Sequence, residues 1–294
     1  MKVIVDIKGG IGNQLFCYAF GFSVAKKNGA DLILDTSMLD RQIVKGRKYE
    51  LDGFKIQYSD RISYPYYNNT VCKKTGLNRI IKKNAIGFGT KVYKEKSHYC
   101  FDENALSVSR NTYFDGFWQN YRYFDNYRDE LLKELQIQSK KNAEILDLEK
   151  ETGKEETVSM HIRRGDYIGL NWQLSMAYYE KSISQIKELI KPTEQDPIRM
   201  FVFTDDMEYA KGYFLSKQDR EVRYIFADYE SENKNLFDLY LMSHCRHNII
   251  ANSSYSWWAA YTNPNRKKIV ICPLKGVWGE DIYPDEWVKI EMND

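Results

Sequence analysis

The run Thr157-Val158-Ser159-Met160-His161-Ile162-Arg163-Arg164-Gly165-Asp166-Tyr167 decides the architecture, because an apolar-alternating strand ends there in two adjacent arginines. A guanidinium is permanently charged and planar, and its fork of donors matches two phosphate oxygens at once, which lysine cannot do. Gly165 is expected to let the chain turn sharply, and Asp166 to hold one arginine in a fixed rotamer. Most Arg-Arg-Asp clusters are surface ion-pair groups, so the meaning of this one depends on where its strand stands in the chain.

Downstream the pattern is regular. Strands are predicted near 158–162, 198–203, 222–226, 248–251 and 268–272, with helices near 175–190, 206–215, 235–244 and 255–261. This alternation predicts an α/β fold with a doubly wound parallel sheet. Ligands of such sheets bind beyond the carboxyl ends of the strands. The residues there are Arg163 and Arg164, then Thr204, Asp205 and Asp206, then Asp228, then Asn252, Ser253 and Ser254. Arginines suit a pyrophosphate, carboxylates a purine edge or a ribose hydroxyl, and a serine pair opening a helix suits further phosphate oxygens. The set predicts a nucleotide site. Asp205-Asp206 lacks the D-x-D spacing of a metal pair, and one of the two is expected to cap the next helix, so no metal is expected.

Upstream, a strand at 3–7, the turn Gly9-Gly10-Ile11-Gly12, a helix from Asn13 stopped at Gly29, and a strand at 32–34 form a βαβ unit. Gly10 and Gly12 with Asp35 resemble a partial dinucleotide fingerprint, but Leu15 replaces its third glycine, so NAD binding is a weak reading. Alternatively, the turn presents backbone N–H groups and the Asn13 and Gln14 amides to a phosphate or a sugar. The segment 40–127 is irregular and tyrosine-rich; within it, residues 113–119 gather the rings and polar groups that a sugar requires, including Asp115, Trp118 and Gln119. Packing accounts for Phe114 and Phe117 equally well, and Trp257 and Trp258 read as core. A helix is predicted near 127–137, and the charged stretch 140–156 as the connection between domains 1–150 and 151–294.

The chain's 294 residues are 43% apolar and 29% charged with net charge +2, a globular composition that gives no sign of a nucleic-acid partner. With no signal-peptide core and no apolar run of membrane-spanning length, a cytoplasmic place is expected. Five scattered cysteines indicate neither a disulfide framework nor a zinc site. The stretch from Lys73 to Lys96 carries eight basic residues and one acid, Glu95; such a run is usually a solvated face, and otherwise suits peripheral contact with an anionic membrane.

Taken together, GGIGNQLFCYAFG (9–21), GFWQNYRYF (116–124), HIRRGDY (161–167), FTDD (203–206) and NSSYSWWAA (252–260) resemble the bacterial α-1,2-fucosyltransferases of glycosyltransferase family 11 in order and spacing. The resemblance implies a GT-B-like pair of facing Rossmann-like domains, with the acceptor mainly on the N-terminal one and GDP-fucose in the C-terminal one. It also implies an inverting transfer of L-fucose from GDP-β-L-fucose to the 2-hydroxyl of a terminal galactose in a cell-surface polysaccharide or oligosaccharide, without metal or other cofactor. Arg163 would then grip the β-phosphate, with Arg164 and Asp166 beside it. His161 and one of Asp205 and Asp206 would hold guanine or ribose, Ser253 or Ser254 (next to Asn252) would bind phosphate, and Asn13 would lie beside the transferred sugar. Gln14, Trp118 and Gln119 are acceptor candidates. The family pattern supplies no clear base for the acceptor hydroxyl; Asp115, Asp166, Asp6 and Glu50 are all conceivable, with Asp115 the one chosen. A fucosyltransferase of another linkage, a non-catalytic GDP-sugar or carbohydrate binder, and an NAD-dependent oxidoreductase are the competing readings.

Overall fold

Val3, Ile4 and Val5 are buried on both faces of β1 (Lys2–Asp6), the condition of a central parallel strand covered by helices on either side. The structure, a computed structural model, describes residues 1–41, 46–65, 77–217, 219–274 and 279–291, and it divides into two units, Met1–Gln138 and Ser139–Asp294.

In the first unit β1 is followed by α1 (Ile11–Asn28), β2 (Asp31–Asp35), α2 (Ser37–Asp40), β3 (Asp60–Ile62), α3 (Leu77–Ile86), β4 (Lys91–Lys94), β5 (Thr112–Asp115) and α4 (Arg128–Glu134). All pairs are parallel, in the order β3-β2-β1-β5-β4. Helix α1 ends where expected: Gly29 takes the left-handed conformation at φ +58, and its N–H returns to the carbonyls of Ala25 and Lys26. The segment expected to be irregular holds β3, α3, β4 and β5. The signal of β3 and β4 is weak because they are edge strands of three and four residues with no fully buried residue, so neither shows an apolar run.

The second unit runs α5 (Ala143–Thr152), β6 (Thr157–Ile162), α6 (Gly165–Leu170), α7 (Met176–Ile190), β7 (Ile198–Thr204), α8 (Met207–Phe214), β8 (Val222–Phe226), α9 (Lys234–His244), β9 (His247–Ile249), α10 (Ser254–Thr262), β10 (Val270–Pro273) and β11 (Val288–Ile290). Its sheet is parallel throughout, in the order β11-β10-β9-β6-β7-β8. Tyr178, Ile183 and Ile186 of α7 and Phe214 of α8 bury the sheet face that carries Val158, Met160 and Ile162. This is the predicted doubly wound α/β sheet with one more edge strand, β11, and both units are parallel α/β sheets, as expected for each half.

The unit boundary falls at 138/139 rather than at 150, and the charged stretch 140–156 is not a bare connection. It contains α5, capped by Asn142, whose side chain accepts from the Ile145 N–H at 2.9 Å. Glu149 on this helix accepts from Lys141 at 2.8 Å and from the Tyr240 hydroxyl of α9, which ties the segment to the second unit. Among the described residues no helix is long and apolar enough to cross a membrane, and no group of three or more His, Cys, Asp or Glu is arranged to hold a metal ion.

Candidate functional site

In the second sheet β6 is hydrogen-bonded to both β7 and β9, so the strand order reverses between β6 and β9. The crevice of an open α/β sheet lies at that reversal, beyond the carboxyl ends of the strands. Arg163 and Arg164 leave β6 there, and Asn252, Ser253 and Ser254 follow β9 and open α10.

Arg163 reaches Asp166 Oδ1 at 2.5 Å and Asp205 Oδ2 at 2.8 Å, and its guanidinium carbon lies 5.3 Å from the centre of the Tyr167 ring. Arg164 donates its backbone N–H to Asp205 Oδ1 at 2.8 Å and its Nε–H to Asp206 Oδ2 at 2.9 Å, over the Tyr209 ring at 3.3 Å. Asp166 thus braces Arg163 as expected, and Asp205 shares the task. Asp206 caps α8, accepting from the Tyr209 N–H at 3.3 Å, and its hydrogen bond to Arg164 holds its carboxyl below the usual range. Gly165 is not at a sharp turn: it is the first residue of α6, and a Cβ there would stand 2.6 Å from Asp205 Oδ2, so only glycine lets that carboxylate approach.

Beside the arginines lie two buried polar atoms with no hydrogen-bond partner in the protein, His161 Nδ1 and Asn252 Oδ1. Buried polar atoms are rarely left unpaired, so a pair of them at a strand-order reversal marks where a ligand's polar groups would go. Burial, helped by the charge of Arg163, depresses His161 to about 3. Its folded value lies below the ordinary 6.5, so the unfolded chain takes up the proton and stability falls as pH drops from about 6.5 towards 3. Wild type should therefore lose about 2–3 kcal/mol more than His161→Gln between pH 7 and pH 4.5, read as a difference in urea midpoints. Equal losses in the two proteins would show that His161 does not titrate in this way.

Ser253 stands at the N-cap of α10 and makes no side-chain capping bond, leaving that helix start to other acceptors. Three aromatic residues near the arginines were not singled out from the sequence: Tyr209 under Arg164, Tyr255, quoted there only within the 252–260 motif, with its ring 5.3 Å from His161, and the exposed Trp172, edge-on to Tyr167 and holding Asn252 through its backbone carbonyl. They belong to helices and a loop whose approach to β6 only folding decides.

The first unit reverses strand order in the same way between β1 and β5. Gly9 takes φ +77, where L side chains are strained, and Gly10 lies against Arg47, whose Nη1 would be 3.1 Å from a Cβ on Gly10. Arg47 lies between Lys45 and Lys48 in an irregular stretch, with no spacing that singles it out from sequence. Asn13 accepts from Gln119 Nε2 at 2.8 Å, joining two candidates from opposite sides of the reversal. Gly12 lies in the first turn of α1.

Two acceptor candidates do not have the expected form. Gln14 is fully buried, with its amide donating to the carbonyls of Gly9 and Lys48 and accepting from the Glu50 N–H, so it ties the glycine turn to the following loop. Trp118 is 0% exposed, stacked on Phe20 at 4.0 Å and edge-on to Phe114 and Tyr123. Its position in the turn after β5, at φ +57, is held by Glu95, which accepts from the Phe117 and Trp118 N–H groups. Asp35 is also occupied, by Ser37 and by the Tyr113 hydroxyl, which removes the acid of the dinucleotide fingerprint.

Asp115 pairs with Lys8 at 2.8 Å, and Lys8 reaches Asp6 at 3.3 Å. Burial works to raise both carboxyls. In Asp6 it prevails, whereas the hydrogen bond and charge of Lys8, aided by Lys82 and Lys94, leave Asp115 below the usual range.

The sequence profile of glycosyl transferase family 11 matches residues 59–291. An O-antigen biosynthesis glycosyltransferase, WbnK, of Escherichia coli is 32% identical over 97% of this chain and 99% of its own length. An alpha-1,2-colitosyltransferase of the same species is 29% identical over 98% and 99%. Among solved structures, the NodZ alpha-1,6-fucosyltransferase co-crystallized with GDP superposes with a TM-score of 0.50 at 16% identity, covering 88% of this chain and 91% of that one, a likeness of fold.

Proposed function

The chain belongs to glycosyl transferase family 11, and from that premise we propose that it transfers L-fucose from GDP-β-L-fucose to the 2-hydroxyl of a terminal galactose, with inversion and without a metal. The observation that carries the reading is the placement of Arg163 and Arg164 at the strand-order reversal of the second sheet, beside the unpaired His161 Nδ1 and Asn252 Oδ1. In this proposal the diphosphate takes over a guanidinium edge now held by Asp166 or Asp205. Two arginines and three carboxylates leave the unliganded cluster one negative charge, so a diphosphate gains only by that exchange. His161, held neutral by burial, and Asn252 meet the base or ribose, while Ser253 and Ser254 meet phosphate oxygens. Breaking a glycosidic bond is oxocarbenium-like, so negative charge grows on the departing diphosphate and a fixed cation there acts mainly in the transition state.

On the first unit, Gly10, Asn13 and Gln119 offer polar groups to the sugars, and Asp115 remains the candidate base for the acceptor hydroxyl. Lys8 makes it a weak one, because a carboxylate held below its ordinary range accepts a proton reluctantly. Asp115→Asn should lower turnover and remove any acid limb of the pH–rate profile; an unchanged profile would take Asp115 out of the chemistry.

Incubation with GDP-fucose and a panel of β-galactosides, with and without EDTA, tests the whole reading through product mass and linkage. An EDTA-resistant 2-linked fucosyl product is expected; a product linked elsewhere, or none, would overturn it. The kinship to an alpha-1,2-colitosyltransferase supports a second reading, in which the transferred sugar is colitose, a relative of fucose lacking the 3-hydroxyl. Competition between the two GDP-sugars decides between them.

A further inference from the structure

Helix α3, the turn after it and edge strand β4 leave large apolar side chains in solvent. Leu77 and Ile80 are 39% and 56% exposed, Val92 is 48% exposed, and Phe88 is as exposed as in an extended peptide, at 105%. Phe88 stands between Gly87 at φ +89 and Gly89 at φ +82, and a Cβ on Gly89 would meet nothing within 4 Å, so the turn holds the ring away from the rest of the unit. The segment is anchored through Ile86, which clusters with Ile4, Ile33 and Tyr113, and through Lys82, which lies over the Tyr113 ring at 3.9 Å.

The same segment, residues 77–94, has five basic residues and no acid. Arg79, Lys83, Lys91 and Lys94 are exposed and make no ion pair with a described carboxylate. The next acid along the chain, Glu95, has a side chain only 4% exposed and is engaged with the turn after β5. Lysines on β4 would blunt an unpaired sheet edge by themselves. That does not explain an aromatic ring displayed at the tip of a two-glycine turn beside an exposed Ile80. Apolar tips ringed by cations match the surface of an anionic bilayer, where rings enter the headgroup boundary and cations meet lipid phosphates. A second copy of the chain is a poor match, because it would bring two patches of the same sign together.

We propose that α3, the Gly87-Phe88-Gly89 turn and β4 form a docking surface for anionic phospholipid bilayers, with Phe88 as the inserted side chain. Residues 73–76 of the basic stretch lie outside the described residues, and the proposal does not use them. The test is cosedimentation of the full chain with phosphatidylcholine vesicles, with and without phosphatidylglycerol, at low and raised salt. Wild type should bind only the anionic vesicles, and salt should release it. Phe88→Asp, and separately Arg79→Glu with Lys83→Glu, should each weaken partition at least about tenfold. Circular dichroism and turnover of a soluble acceptor should stay unchanged in both. Wild type remaining in the supernatant with anionic vesicles, or variants binding as well as wild type, would overturn the proposal. Loss of a concentration-dependent dimer in Phe88→Asp without vesicle binding would assign the patch to a second copy instead. Vesicle binding needs no turnover, so this result is independent of the donor and linkage proposed above.

Discussion

Arg163→Ala is expected to lower turnover on the order of a hundredfold or more, the scale of removing one preorganised donor from a developing negative charge. The reason is geometric as well as electrostatic. Asp166 and Asp205 grip the two Nη atoms from different elements, so the cation is held before any ligand arrives and loses little freedom when the diphosphate develops charge. The proposed exchange also makes Arg163→Lys informative. A lysine keeps the charge but has no planar fork, so it should recover only part of the loss. Single-turnover rates with GDP-fucose, set beside the affinity for GDP alone, separate a transition-state role from simple binding. A variant that binds GDP more weakly yet turns over normally once saturated would show that Arg163 holds the donor without assisting its cleavage.

Trp118→Ala should destabilise the first unit by about 3–5 kcal/mol, the range for deleting a fully buried large aromatic side chain. The ring is stacked on Phe20 and walled by Phe114 and Tyr123, so its removal leaves a cavity that three rigid neighbours cannot close. Trp118→Phe should lose much less. The measurement is the urea midpoint of the first unit, together with the acceptor KM of the protein that stays folded. The midpoint should fall sharply and the KM stay nearly constant; the reverse pattern, a small loss of stability with a large rise in KM, would return Trp118 to the acceptor site.

These two residues mark where sequence is informative and where it is not. Arg163 is legible because it is the first residue after a buried strand of a parallel sheet, and periodicity locates strand ends without any knowledge of packing. Trp118 stands after a strand too, among polar and aromatic neighbours that would suit a sugar. Its ring nevertheless turns inward, because Glu95 holds the backbone at φ +57 and α1 supplies Phe20 as a partner. Gln14 misleads for a similar reason, since an amide looks available in sequence whether or not two carbonyls are waiting for it. The edge strands β3 and β4 escaped notice because three- and four-residue strands with no fully buried residue have no apolar pattern to find.

What the sequence determined alone is the α/β class, β1 and β2 of the first unit, β6 to β10 of the second, and the line of polar residues at the carboxyl ends of the second sheet. Those follow from local periodicity, which each segment carries within itself. The tertiary structure decided which carboxylate holds which arginine, that Gly165 serves the approach of Asp205 rather than a turn, and that His161 Nδ1 and Asn252 Oδ1 are buried without partners. Asp205 and Asp206 stand some forty residues from the arginines they hold, and whether a buried atom finds a partner is likewise fixed by strand order and by the filling of space, which no short window of sequence records.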